Sequence, residues 1–377
     1  MAVVSGSARK QIVIALNCGS SSLKFGLYAA NEPAADLLCE GEAEEVGRDN
    51  GRFWLKGPRR LDEQQRFPDH RSALTHALDA LQRCNLPQPE AAGHRFVHGG
   101  PHVRQHAKLT PEIFQRLQAA VPYAPLHAPP ALAVLSAMRE KLPEIPQVIC
   151  LDTAFHREMP DVSRLFALPY ALRECGIERY GFHGLSLESI LPQLNPLPAR
   201  LVVAHLGNGS SITAVRDGKS VDTTMGLTPT GGVMMGTRCG DLDPGVMIYL
   251  LRNGYPSADE LEVLVDRRSG LLGVSGKSSD VRELASLRKE NPQVDLALRM
   301  FCYQTRKAIA GMAAALGGLD MLVFTGGIGE HSQELREEIC AGLEFLGIGS
   351  KDQSRVRIVP AQEDEQICRI TVRLAGI

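Results

Sequence analysis

Two α/β domains, each a mixed β-sheet flanked by helices, are the fold class this sequence predicts, and three observations carry that prediction. A β-rich run, a Gly/Asn/Ser turn and a second β-rich run occur twice, as LNCGSSSLKF from Leu16 to Phe25 and HLGNGSSITAV from His205 to Val215. Laying Gly19, Ser20 and Ser21 on Gly209, Ser210 and Ser211 makes these one hairpin repeated about half a chain apart. Each hairpin is followed by helical and then strand-like stretches, the order of a mixed sheet covered by helices. Finally, 377 residues exceed what one hydrophobic core usually organises, so two domains of roughly 150 to 200 residues are expected.

The elements follow in chain order. QIVIALN and SLKFGLY read as the strands of the first hairpin, with a third strand near Arg52 to Leu55. A helix is predicted from Arg71 to Leu81, then the run RFVHGG from Arg95 to Gly100. Pro122 to Pro130 is too proline-rich for regular structure and is predicted to be a rigid loop. The strand in QVICLDTAFH ends at Asp152, where the chain is expected to leave the first domain. ARLVVAHL and SITAVRD then form the second hairpin, Leu296 to Leu316 a long helix, MLVFTGG a buried strand ending in a glycine turn, and SQELREEIC a helix. ITVRLAG is expected to return to the first domain. The predicted boundaries are 1–153, completed by about 366–377, and 154–365.

Composition narrows the function. The chain is 44% hydrophobic and 22% charged, as in soluble globular proteins, and its formal net charge is −2. With no basic stripe or block of like charge, neither nucleic acid nor an anionic membrane is an expected partner. No apolar run approaches the roughly 18 residues of a membrane helix, and Ile12 to Leu16 is too short for a signal-peptide core, so a cytoplasmic protein is expected. Nine scattered cysteines without a C-x-x-C pair read as reduced, packed thiols.

Glycines in such turns let the backbone approach a ligand closely and direct N–H groups and hydroxyls to one point, as phosphate binding requires. Three segments, HRFVHGG, RYGFHGLS and MGTRCGDLDPG, set Arg and His among glycines, which suits anionic oxygens. Taken singly, each Arg is better explained by a surface or structural ion pair; the three together with the two glycine turns shift the balance to ligand binding. His98, His102 and His106 have i, i+4 spacing, but Gly99, Gly100 and Pro101 interrupt any helix that would align them for a metal. His127 and His156 fit core or loop positions as well as a site, and Cys18 and Cys239 have no evident activating base. FTGGIGEH, from Phe324 to His331, follows an apolar strand. It lacks the G-x-G-x-x-G spacing, and its place after the two cradles suggests the nucleoside end of a nucleotide.

The set NCGSSSLKF, RFVHGG, LDTAFH, RYGFHG, HLGNGSS, TPTGGVMMGTRCGDLDPG and FTGGIGE, in this order from Ile12 to about Thr371, resembles the acetokinase family within the actin-like ATPase superfamily. The resemblance implies two ribonuclease H-like domains with an interdomain active-site cleft, the nucleotide site being carried by the second. It puts Asn17, Ser20, Ser22 and Lys24 at the first phosphate turn and His205, Asn208 and Gly209 at the second. Arg95, Arg238, His183 and Asp152 would be catalytic. Gly327, Ile328, His331, Asp280 and Arg282 would line the adenosine site. Val97, Leu126, Phe182 and Pro229, with Arg95, would form the substrate pocket, although from the residues alone plain core packing is the better explanation of the four apolar ones. Asn17 and Glu363 would hold magnesium, for which manganese could substitute.

The implied reaction is reversible phosphoryl transfer from ATP to acetate, and a homodimer is implied with it. Acetate is already ionised at neutral pH, so its attack needs charge neutralisation and positioning rather than a general base. Asp152 therefore reads as an organiser of Arg95 or of metal-bound water. Several positions depart from the family pattern: His331 where Asn is common, Lys277 at a usually apolar position, a short stretch between Gly347 and Arg355, and QEDEQICRIT in place of an E-E-L-like run. An ungapped match puts Glu363 on the first glutamate of that run and leaves Asp364 and Glu365 as solvated acids. Rival readings are a propionate kinase on the same fold and a non-metabolic ATP-dependent switch, which would not need the Arg95 and Arg238 pair.

Overall fold

The computed structural model describes residues 10–31, 34–255, 257–349 and 354–376. Part of the short stretch between Gly347 and Arg355 therefore lies outside the described residues. Two compact units emerge, one reaching Ala154 and resuming at Gln362, the other spanning Phe155–Ala361. The resumption comes upstream of the expected 366, which assigns Glu363, Asp364 and Glu365 to the same unit as Arg95.

The first unit holds an eight-stranded sheet. Its strands are β1 Gln11–Cys18, β2 Leu23–Asn31, β3 Ala34–Glu44, β4 Arg52–Lys56, β5 Leu61–Gln64, β6 Ala91–Phe96, β7 Ala107–Lys108 and β8 Gln147–Leu151. The order is β5-β4-β3-β2-β1-β6-β8-β7, with β1 to β5 an antiparallel meander and β6 and β8 parallel to β1. Sequence reading finds β1, β2 and β4 but misses β3 and β5. ADLLCEGEAE and LDEQ are rich in acidic residues and lack the β-branched and aromatic side chains that announce a strand.

Strand alternation sends neighbouring residues of β1 to opposite faces. Ile14 and Leu16 join a core with Leu74, Ala77 and Leu135 from the helices His70–Arg83 and Ala128–Lys141. On the other face lies the helix Glu363–Ala375, whose Ile367, Ile370 and Thr371 are buried. Gly93 in β6 permits that seating, because a Cβ there would meet Thr371 Oγ1 at 2.2 Å and Ile367 Cγ2 at 2.5 Å.

The proline-rich stretch is not the rigid loop expected. A single 3-10 turn spans Val121–Tyr123, and a helix begins at Ala128 with Pro129 and Pro130 in its first turn. The N–H groups that proline lacks have no partner in a first turn anyway, so proline is tolerated there. The RFVHGG run likewise leaves the sheet at Phe96, and its remaining residues form a turn.

The second unit repeats the central topology. Its strands β9 Arg200–Leu206, β10 Ser210–Arg216, β11 Lys219–Thr223, β12 Met321–Thr325 and β13 Val356–Ile358 are ordered β11-β10-β9-β12-β13. Three strands again form an antiparallel meander, with two added in parallel. Val202, Ala204 and Leu206 pack against the long helix Pro292–Leu316. Leu201 and Val203 face Leu187 and Ile190 of the helix Gly184–Ile190. Period-2 alternation then puts His205 on the face of the short helix. Among the described residues, no helix is long and apolar enough to cross a membrane.

Candidate active site

In the first unit the charged residues converge on Arg95, near the end of β6. Its Nε donates to both oxygens of Asp152 at 3.1 Å, Nη2 to Asp152 Oδ2 at 2.6 Å, and Nη1 to Asn17 Oδ1 at 2.9 Å. Asp152 is almost fully buried while the Arg95 side chain keeps 20% exposure. Burial disfavours the charged guanidinium, but the fields of Asp152, Glu363 and Asp364 outweigh it and raise the Arg95 pKa. Asp152 thus accepts from a cation that is always charged, consistent with an organising role.

The acids opening the Glu363–Ala375 helix are not equivalent. Glu365 pairs with Arg369 one turn on. Asp364 is not the solvated acid expected from sequence. Its Oδ1 is sealed from solvent without a hydrogen-bond partner, and burial, then Glu363, pushes its pKa up to about 6. The amphipathic helix buries Ile367 and Cys368, and that rotation carries Asp364 inward.

The first of the turns expected to hold phosphate joins β1 to β2, with Cys18 opposite Leu23 and Asn17 opposite Lys24. Gly19 N–H donates to Ser22 O at 2.9 Å, and a His70 ring nitrogen donates to Gly19 O at 2.9 Å. Ser20 and Lys24 are exposed and Ser22 is half-buried. The second turn joins β9 to β10 and is shorter, with Leu206 opposite Ser210 and His205 opposite Ser211. The matching of Gly19, Ser20 and Ser21 to Gly209, Ser210 and Ser211 therefore fails residue by residue. Ser20 and Ser21 belong to a four-residue loop, whereas Ser210 and Ser211 are buried strand residues.

His183 sits left-handed, at φ 58°, before the helix Gly184–Ile190. Its ring stacks on His205 with centroids 4.1 Å apart and 17° between planes. Both rings are tied at Nδ1, His183 to Ser211 Oγ at 3.0 Å and His205 to Ser186 Oγ at 2.9 Å. Arg238 Nη1 donates to Pro229 O at 3.3 Å. The Gly209 Cα carries no side chain, and a Cβ there would lie 3.2 Å from His183 Nε2 and 3.3 Å from Arg238 Nη1. His183 Nε2 and the Arg238 guanidinium thus border Gly209, and His205 Nε2 would lie 3.8 Å from a Cβ on Gly207 of the same turn.

Beside it lies a cavity of about 870 Å³ lined by Asn208, Asp280, Arg282, Gly327, Ile328 and His331 among others. That volume suits a nucleoside. The glycine motif is itself a short helix, Gly326–His331, rather than a turn. Gly326 enters it at φ +75°, where a Cβ would meet Leu206 O at 2.7 Å, so only glycine brings this helix so close to β9. At the rim Asp280 caps the helix Val281–Leu287 and grips Arg282 at 2.6 Å, which lowers its pKa to about 2. Lys277 is exposed.

Val97 and Leu126 in the first unit and Pro229 in the second are half-buried, and Phe182 is 1% exposed. His156 is a core residue, bonded to Ser220 Oγ and Phe182 O. His98 and His106 accept the Gly100 and Leu151 N–H groups. Burial pushes the Cys18 thiol up to about 12 and that of Cys239 to about 11, away from nucleophilic use. Sequence reading placed Ser211 in the second glycine turn but gave it no histidine to hold, and it missed Ser186, because each serine bonds the histidine of the other segment.

The sequence pattern of the acetokinase family matches residues 12–370. The acetate kinase of Treponema denticola is 39% identical over 396 aligned residues, covering 96% of this chain and 99% of its own. That of Rhodopseudomonas palustris is 41% identical, with 97% and 98% covered. Among solved structures, the acetate kinase of Porphyromonas gingivalis superposes with a TM-score of 0.85 at 35% identity, covering 97% and 99%. A propionate kinase from Francisella tularensis reaches 0.91 at 34%, covering 97% and 100%. A match along nearly the whole chain, together with two sheets of shared central topology, leaves one conclusion: the chain is a phosphotransferase of the acetokinase family.

Proposed function

We propose that this protein transfers the γ-phosphoryl group of ATP reversibly to acetate, giving ADP and acetyl phosphate. The observation that carries the reading is Arg95, held by Asp152 and Asn17 with its side chain 20% exposed. A carboxylate oxygen of acetate attacks the γ-phosphorus, a P–O bond forms, and the bond to the β–γ bridging oxygen breaks in line. No proton moves, so the protein's task is to offset negative charge and align the reactants. Arg95, Arg238 and His183 meet the phosphoryl oxygens; His205, Asn208 and Gly209 hold the phosphate chain, with Ser20, Ser22 and Lys24 at the other turn. Gly327, Ile328 and His331 border the nucleoside, and Val97, Leu126, Phe182 and Pro229 the methyl group.

A magnesium ion fits the donor set. Asn17, Glu363 and Asp364 offer hard oxygen donors, and Asp364 Oδ1 is a buried acceptor without a partner. When bound, magnesium supplies charge neutralisation at the phosphate oxygens, and manganese is the natural substitute. Glu363 and Asn17 are the proposed ligands. Trapping acetyl phosphate with hydroxylamine from acetate, ATP and magnesium tests the reaction; no hydroxamate from pure, folded protein would refute it.

The similarity to a propionate kinase supports a second reading of the acceptor. A methylene is worth roughly 10- to 200-fold in such a pocket. Val97→Ala is expected to raise kcat/KM for propionate relative to acetate, and an unchanged ratio would remove Val97 from the pocket floor.

The same reading makes the protein a cytoplasmic homodimer. Cytoplasm supplies ATP and keeps free thiols reduced. The helix Pro244–Arg252 has no buried residue and exposes Val246, Ile248, Tyr249 and Leu251, an apolar face suited to a second copy. Sedimentation equilibrium checks this, with a monomeric parent protein refuting it.

A further inference from the structure

The stacked pair His183 and His205 is held by two serines that no phosphate role explains. Ser186, on the helix Gly184–Ile190, is 0% exposed and Ser211, on β10, is 1% exposed. Neither hydroxyl is open to solvent, and each is spent on one imidazole Nδ1. Ser211 lies directly across the ladder from His205, so strand pairing brings the hydroxyl that holds one ring up against the other ring.

The opposite edges of both rings border glycines. A Cβ on Gly209 would lie 3.2 Å from His183 Nε2, and one on Gly326 would lie 3.2 Å from His205 Nε2. Phosphate oxygens only accept hydrogen bonds, so a histidine serving them needs its proton on Nε2. A neutral imidazole carries one N–H, which leaves Nδ1 as an acceptor needing a donor. A carbonyl or carboxylate cannot donate, but a serine hydroxyl can. Charging both rings instead would set two like charges face to face at 4.1 Å.

We infer that Ser186 and Ser211 are positioning residues that donate to Nδ1 of His205 and His183 and so hold both rings as Nε2–H donors toward the phosphates. The inference rests on the phosphate reading of this turn, but the tautomer can be measured without any substrate.

The experiment is two-bond 1H–15N correlation of the histidine rings in the 15N-labelled, ligand-free protein at neutral pH, with His183→Gln and His205→Gln giving the assignments. Expected are a pyridine-like Nδ1 and a pyrrole-like Nε2 for both rings. Ser186→Ala should shift His205 toward a mixture of tautomers and lower kcat roughly 5- to 30-fold, the kinetic equivalent of one lost hydrogen bond, with little change in KM. Ser186→Thr, which keeps the hydroxyl, should restore both. A protonated Nδ1 on His205 in the parent protein overturns the proposal, even if the alanine variant does not fold. An unchanged His205 spectrum in folded Ser186→Ala overturns it too. Full turnover in His205→Gln would instead refute the phosphate role of the ring and leave the tautomer result standing.

Discussion

The hairpin β1–β2 and the hairpin β9–β10 share the letters Gly-Ser-Ser and a place at the start of their sheets, yet use them differently. In the first, Gly19, Ser20 and Ser21 lie in a four-residue loop, with Ser20 exposed and Gly19 tied back by His70. In the second the loop is one residue shorter, so Ser210 and Ser211 fall inside the strand and are buried. One turn offers hydroxyls to whatever approaches; the other spends its serine on a histidine. A one-residue change in loop length shifts the strand register, and register decides which face a side chain joins. Similar words in two hairpins therefore do not imply similar chemistry.

The largest expected effect separates the cations associated with the two halves. Arg95→Ala and Arg238→Ala should each lower kcat by about 10²- to 10³-fold, the usual cost of removing one preorganised donor at developing charge, with a smaller change in the KM for ATP. Lysine should rescue only partly because it lacks the planar fork. Near-parental turnover in both alanine variants would end the proposed mechanism.

Next in size is a pH effect that compares the two cores. Burial depresses His94, bonded to Gln147 in the first unit, and His156 in the second to about 4. Their contribution to stability is complete above the unfolded pKa near 6.5. It is lost as pH falls toward 4, because the unfolded chain binds protons that the folded chain refuses. Each histidine should account for on the order of 3 kcal/mol over that window. Urea unfolding from pH 7 to 4 should show the decline, and His94→Gln or His156→Gln should flatten it; an unaltered slope in both variants would contradict the assignment.

The acids near the first hairpin come third. Glu363→Gln should raise the magnesium concentration for half-maximal rate by about 10- to 100-fold, the scale seen when metal sites lose a supporting partner. Asp364→Asn should have a smaller but clear effect, and Glu365→Gln almost none because Glu365 is engaged by Arg369. Manganese binding followed by electron paramagnetic resonance gives a readout without turnover. A metal defect confined to Glu365→Gln would show that the register is wrong.

The smallest effect compares the turns directly. A Cβ on Gly209 would crowd His183 Nε2 and Arg238 Nη1, whereas one on Gly19 first meets the Ser22 hydroxyl at 3.0 Å, which can rotate away. Gly209→Ala should therefore lower kcat by about tenfold or less, and Gly19→Ala by no more than a few-fold. Equal losses would mean that the two turns are used alike after all.

Local pattern was sufficient for much of the molecule. Apolar runs announced β1, β9 and β12, the β-rich runs after the glycine turns announced β2 and β10, and helical periodicity announced the helix ending at Leu316. Glycine-flanked Arg and His pointed to Arg95, His183 and Arg238 before any geometry was known. Acidic β3 and β5 were illegible because cross-strand pairing rather than side-chain type makes them strands. The helix at Ala128 was hidden by prolines that a first turn tolerates.

By itself the sequence determined the fold class, the main strands and the family, since these follow from short-range periodicity and from the order of its glycine-rich motifs. Only the tertiary structure decided which acid has a sealed oxygen, which serine holds which imidazole, and that the return to the first unit begins at Gln362 rather than near 366. Those outcomes depend on register and on groups far apart in the chain. Ser186 and His205 are brought together by a helix seated on a strand, and no local pattern records that contact.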